Sequence, residues 1–227
     1  MAHSSGASAL AGSTAKAAPH VTGEVYGRLI NLSGRRRFTS QRVVLFAVLA
    51  SQGRTEALQA SRSALATFME AHTALMEGNA DLPGIFCDEL HEAYYGADGA
   101  DITIRAFIAH AERTHHAIES RIRVAATLLD ELIDSATPLL AALNSVTQVY
   151  EDLARRQAAR ARKQLVDMMG DIQSIAKQAR IVSFNAQIIA SRAQASGREF
   201  AVVAAELSDI TGRIDELVRE AVRSSVS

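Results

Sequence analysis

A chain of 227 residues with 24 Lys and Arg against 25 Asp and Glu carries a formal charge of −1. Its overall field therefore favours neither nucleic acid nor an anionic membrane surface. Trp is absent, Pro occurs 3 times and aromatics make up 5%, a balance that points to an all-helical protein. The single cysteine, Cys87, has no second cysteine to bridge to, and the expected home is a reducing cytoplasm.

In chain order, residues 1–20 are largely Ala, Ser and Gly with Lys16 as the one Lys, Arg, Asp or Glu. They fit a disordered tail over 1–21 better than a signal peptide. The longest strongly apolar run, Val43 to Ala50, falls far short of the ~20 residues that span a bilayer, so no membrane insertion is expected. A first helix is predicted from Thr22 to Ser51, ended by Gly53, and a second from Thr55 to Glu77, with Leu58, Leu65, Phe68, Leu75 and Met76 toward the core. Gly78 to Gly84, with Asn79, Asp81 and Pro83, reads as a turn. A third helical region starts near Ile85, pauses over Gly96 to Asp101 and resumes to about Ser135. Pro138, tolerated in a first turn, is expected to open a long fourth helix reaching Arg192, with Gly170 its one weak point.

The last third repeats apolar residues at alternating four- and three-residue spacing. Met168, Ile172, Ile175, Ala179, Val182, Ala186 and Ile189 run inward, and Phe200, Val203, Leu207, Ile210, Ile214, Leu217 and Ala221 run outward. Folding between Gln194 and Ala195 sets Ile189 opposite Phe200, Ala186 opposite Val203 and Val182 opposite Leu207. That pattern predicts an antiparallel coiled-coil hairpin, with Gly197 near the turn relieved of Cβ strain. The whole is expected to be all-α: an up-and-down four-helix bundle over 22–164 extended into a hairpin over 165–227.

Helix one interrupts its own core. The stripe Val25, Leu29, Leu32, Arg36, Thr39, Val43, Phe46 passes through a cation, and the adjacent stripe carries Ser33, Arg37 and Ser40. A buried guanidinium needs a carboxylate, an oxyanion or water, and arginine's planar donors suit a flat oxyanion. Arg36, Arg37, Ser33 and Ser40 are therefore candidate ligand-binding residues. The opposing expectation is that Arg35, Arg36, Arg37 and Arg42 pair with acids such as Glu24, Glu70 or Asp88. His110, Glu112, His115 and His116 cluster in sequence, with His72 or His91 as further partners. They lack two histidines at i and i+4 and read as a solvated helix face with no metal. No phosphate loop, paired Cys motif or Ser-His-Asp order is present, so no catalytic residue, enzyme activity or cofactor is expected.

Two segments resemble known families. Ile30 to Arg42, read INLSGRRRFTSQR, is similar to the INLAGRQRMLSQR box of type IV pili methyl-accepting transducer sensor domains and of nitrate-sensing kinases. The resemblance implies an anion held by Arg37 at a dimer axis, with Arg42 in support. Phe38 and Thr39 depart from the usual box residues. Ile175-Ala176, Asn185-Ala186, Arg192-Ala193 and GREFAVVAAEL over 197–207 resemble the signalling tip of methyl-accepting chemotaxis proteins. That likeness implies a homodimer, higher oligomers through the tip, and contact with a CheA-type kinase and CheW-type coupling protein. Ile181, Phe184, Asn185, Ile188, Arg192 and Phe200 would be the contact residues. Ile189 and Ala195 stand where that family has glutamates, and the outgoing arm is too short for its adaptation sites. The expected function is a cytoplasmic chemotaxis-type transducer for a small oxyanion of the nitrate or nitrite kind. The competing one is a helical adaptor that co-assembles with full-length receptors without binding a ligand.

Overall fold

The computed structural model describes residues 21–193 and 197–226, all of whose regular elements are α-helices. The tail proposed for 1–21 lies outside the described residues, apart from Val21, which is buried in the core. The helices are α1 (Gly23–Ser51), α2 (Thr55–Glu77), α3 (Asp88–Tyr95), α4 (Ala100–Glu119), α5 (Ala125–Arg192) and α6 (Arg198–Val226). None is long and apolar enough to cross a membrane. Two compact units divide between Ala154 and Arg155, ten residues before the boundary expected from the sequence.

In the first unit, α1 starts where Thr22 accepts the amide of Val25 and stops as the chain turns through Gly53 at φ 93°. α2 occupies its predicted span and ends at Gly78 (φ 81°). A Cβ there would collide with the backbone of Leu82 and Gly84, so the tight 78–84 turn requires glycine. Leu29, Val43, Phe68, Leu75, Tyr94, Ile104, Phe107, Leu132, Leu143 and Tyr150 belong to one buried cluster, to which α1 to α5 all contribute.

Two boundaries differ from expectation. The third helical region stops at Glu119, and α5 begins at Ala125, so Pro138 lies inside a helix instead of opening one. The stop at Ser120 has no glycine. The amide of Arg121 bonds the carbonyl of Ile118 and that of Ile122 bonds Ala117, the paired bonds of a Schellman cap, with Arg121 itself at φ 50°. A left-handed arginine leaves no mark in the composition. Pro138 is exposed, as is Asp134 one turn before it, so the carbonyl that the missing proline N–H leaves free lies on a solvent-facing stretch of the helix, where the proline costs least.

In the second unit α6 returns antiparallel to α5. The Ser183 hydroxyl donates to the Ala204 carbonyl, and Arg180 pairs with Asp215 at 3.1 Å. Its seam is not the predicted one. The fully buried positions are Ala176, Ser183, Ala190, Gly197, Ala204, Thr211 and Val218, spaced by seven throughout and symmetric about Gly197. Small residues let the two helices approach closely. Ile175, Val182, Ile189, Phe200, Val203, Ile210 and Leu217, assigned to the seam, are exposed instead. The fold point expected at Gln194 and Ala195 lies outside the described residues. Gly197 is required for space, since a Cβ would run into the carbonyl of Ala190.

Candidate functional site

The polar break in α1 forms a buried network among α1 to α5. Arg36 is fully buried. Its Nη1 donates to His72 Nδ1 at 3.2 Å and its Nη2 to Ser33 Oγ at 3.0 Å, while its Cζ sits 5.7 Å from the centre of the Tyr94 ring. Nε finds no partner. Thr147 gives its hydroxyl hydrogen to the Leu143 carbonyl (2.7 Å), so Ser33 must donate to Thr147 (2.8 Å) and accept from Arg36. The direction of every bond in this relay is thereby fixed.

His72 is the hinge of the network. To accept from Arg36 its Nδ1 must be bare, which places the proton on Nε2, 3.5 Å from Asp101 Oδ1. Burial and then the Arg36 charge lower its pKa to about 4, against a smaller upward pull from Asp101. Asp101 is also held by Arg105 Nε at 2.7 Å. Beneath, the Tyr94 and Tyr150 hydroxyls meet at 3.4 Å, and burial, then Tyr94, pushes the Tyr150 phenol above its ordinary range. The interior thus holds a guanidinium whose direct partners are all neutral.

The five predicted ligand residues separate. Ser33 and Arg36 are consumed by the relay, and buried Ser40 donates to the Arg37 carbonyl, so these three do not face an anion. Arg37 is half-buried and donates to Asn144 Oδ1 at 2.9 Å. Arg42 is exposed and lies over Phe38 and Phe46, 5.5 and 5.4 Å from their ring centres. The alternative of acid pairing also fails, for among the described residues none of Arg35, Arg36, Arg37 and Arg42 makes an ion pair, and Glu24 pairs with Arg28. Spacing had placed Arg36 in the core stripe, but His72, Asp101 and Thr147 carried no signal that they converge on it.

The histidine cluster does not converge. His115 is buried, and its Nε2 donates to Ser61 Oγ at 2.7 Å, because the Ser61 hydrogen is spent on the Val43 carbonyl. This corrects the reading of a solvated face. His116 and Glu112 are exposed, and His91 stacks on Tyr95. Among the described residues no three His, Cys, Asp or Glu side chains are placed to hold a metal. Burial, followed by the charge of Arg62, lowers the His115 pKa to about 4.

Both buried rings are neutral when folded and take a proton near pH 6.5 when unfolded. Their contribution is whole above that value and is lost as pH falls toward about 4. The slope reaches about 1.4 kcal/mol per pH unit for each ring, less where solvent reaches it. Tyr26, Tyr94, Tyr95 and Tyr150 all lie in the first unit and Trp is absent, so tyrosine fluorescence reports that unit alone. Its urea midpoint is expected to be lower at about pH 5 than at about pH 7, and His72→Gln with His115→Gln should flatten the difference.

At the hairpin, Ile181, Phe184, Asn185, Ile188, Arg192 and Phe200 are all exposed. No known protein family, curated protein or solved structure matches the chain.

Proposed function

We propose that this protein is a signal transducer of chemoreceptor type that works by protein contact. In this reading the second unit pairs with a second copy of itself, and the first unit responds to a small oxyanion of the nitrate or nitrite class. The observation that carries it is the outward apolar face of α5 and α6. Ile175, Phe184, Ile189, Phe200, Val203 and Leu217 are each 62–66% exposed. A hairpin that buries mainly small residues while presenting most of its large apolar side chains to water has its real core in another chain. Further contacts of the tip, with Asn185 and Arg192 among them, would engage a kinase of the CheA type and a coupling protein of the CheW type.

Arg37 supports the sensing half. It is a half-buried guanidinium whose one side-chain partner among the described residues is the neutral Asn144, which leaves donors for a planar oxyanion. Two such groups across a two-fold axis repel, and an anion between them turns repulsion into hydrogen bonds. α5 supplies Asn144 to this site and Phe184 to the contact face, so one continuous helix takes part in both. Calorimetric titration with nitrate and nitrite is expected to give binding heat in the native chain and none in Arg37→Ala.

The use of Ser33, Arg36 and Ser40 within the protein favours a second reading, an oligomerisation adaptor without a ligand. Absence of anion binding in the native chain, with self-association intact, would select it.

A further inference from the structure

At the end of the first unit, the α1–α2 turn and the α4–α5 turn enclose an open cleft of about 740 Å³, well within the size range of small-ligand sites. Three arginines line it: Arg54 before α2, and Arg121 and Arg123 between α4 and α5. None of their side chains makes a hydrogen bond or ion pair among the described residues. The one acid on the wall, Glu119, is already gripped by both terminal nitrogens of Arg62 at 3.0 and 2.7 Å. Apart from Ser51 and Thr55 the remaining wall is apolar, with Leu58, Ile118, Ile122 and Leu129.

Arg121 adds an independent sign. It occupies the left-handed position of the Schellman cap that ends α4, at φ 50°, a place where glycine is the usual residue and any Cβ adds strain. Strain of this kind gathers where a side chain has work to do. The cap aims the chain so that Arg121 and Arg123 join Arg54 around one cleft, although their own mutual repulsion opposes it. The first residues of α2 and α5, Thr55 and Ala125, also lie along the cleft, adding the positive ends of two helices.

The geometry points to a binding site here for an amphiphilic organic anion, an oxyanion head on a short apolar body. The head is shared among Arg54, Arg121 and Arg123, and the body lies on Leu58, Ile118 and Leu129. Hydrophobic burial and charge-assisted bonding are both required, so neither half of such a molecule binds well alone. The site is separate from Arg37, which precedes the end of α1 by on the order of 20 Å of helix, and it does not depend on the function proposed above.

The test is calorimetry on the full chain with octanoate, octyl phosphate, octanol and inorganic phosphate. Octanoate or octyl phosphate should bind at least about tenfold more tightly than octanol or inorganic phosphate, and the ratio of the first two identifies the head group. Arg121→Gly keeps the cap, since glycine suits it best, and should weaken octanoate or octyl phosphate binding about tenfold, as should Arg123→Gln. Arg37→Ala should leave it unchanged. Octanol binding as tightly as the anions, no binding by either amphiphile, or native affinity in both Arg121→Gly and Arg123→Gln would overturn the inference.

Discussion

Replacing Arg36 with alanine is expected to lower the unfolding free energy of the first unit by about 3 to 5 kcal/mol, the scale of removing one member of a buried polar group. The change empties a large volume in a fully buried position and strips His72 Nδ1 of its donor. Arg36→Met should recover the volume part of that loss, about half, because it refills the space but leaves His72 Nδ1 without its donor as alanine does. Urea unfolding followed by tyrosine fluorescence measures both. If Met proved as damaging as Ala, the charge itself, through Asp101 beyond His72, would be what holds the network.

The second large effect concerns the outward face of the hairpin. Val182→Glu combined with Val203→Glu places carboxylates on two exposed positions that no seam contact uses. The monomer fold should be indifferent, with unchanged far-ultraviolet circular dichroism. Self-association should weaken roughly 100-fold or more, because each carboxylate buried without a partner costs several kcal/mol. Sedimentation velocity at micromolar concentration would show the native chain as a dimer and the variant as a monomer. A native chain that sediments as a monomer removes the basis for a contact-driven signal.

The sequence was most readable where the backbone needs a particular residue. Thr22, Gly53 and Gly78 mark the ends of α1 and α2 through capping and positive φ, and these spans followed directly. The gap between α4 and α5 was hidden because an arginine fills the cap where glycine was the signal to look for. In the hairpin, size misled. Large apolar residues at helical spacing suggested the seam, whereas the contact between helices is drawn every seventh position by mostly small residues, Ala, Ser, Gly and Thr with Val218 at the end. Periodicity identifies faces, but which face meets which neighbour depends on how many chains share the core. The candidate site was half legible. That a cation interrupts the core stripe of α1 follows from spacing, but its partners on α2, α4 and α5 are brought together only by the fold.

The hydroxyl relay from Arg36 through Ser33 and Thr147 to the Leu143 carbonyl also sets what kinds of movement the first unit tolerates. Each hydroxyl has one proton to give and a single direction in which to give it, so Ser33 and Thr147 lock α1 against α5 in one register. A slide of α5 by one residue, about 1.5 Å, strands a buried donor and acceptor at once, at a cost of about 1 to 3 kcal/mol for each. Sliding between these two helices is therefore penalised at the Ser33–Thr147 bond that joins them, and a shift that breaks it has to find both hydroxyls new partners.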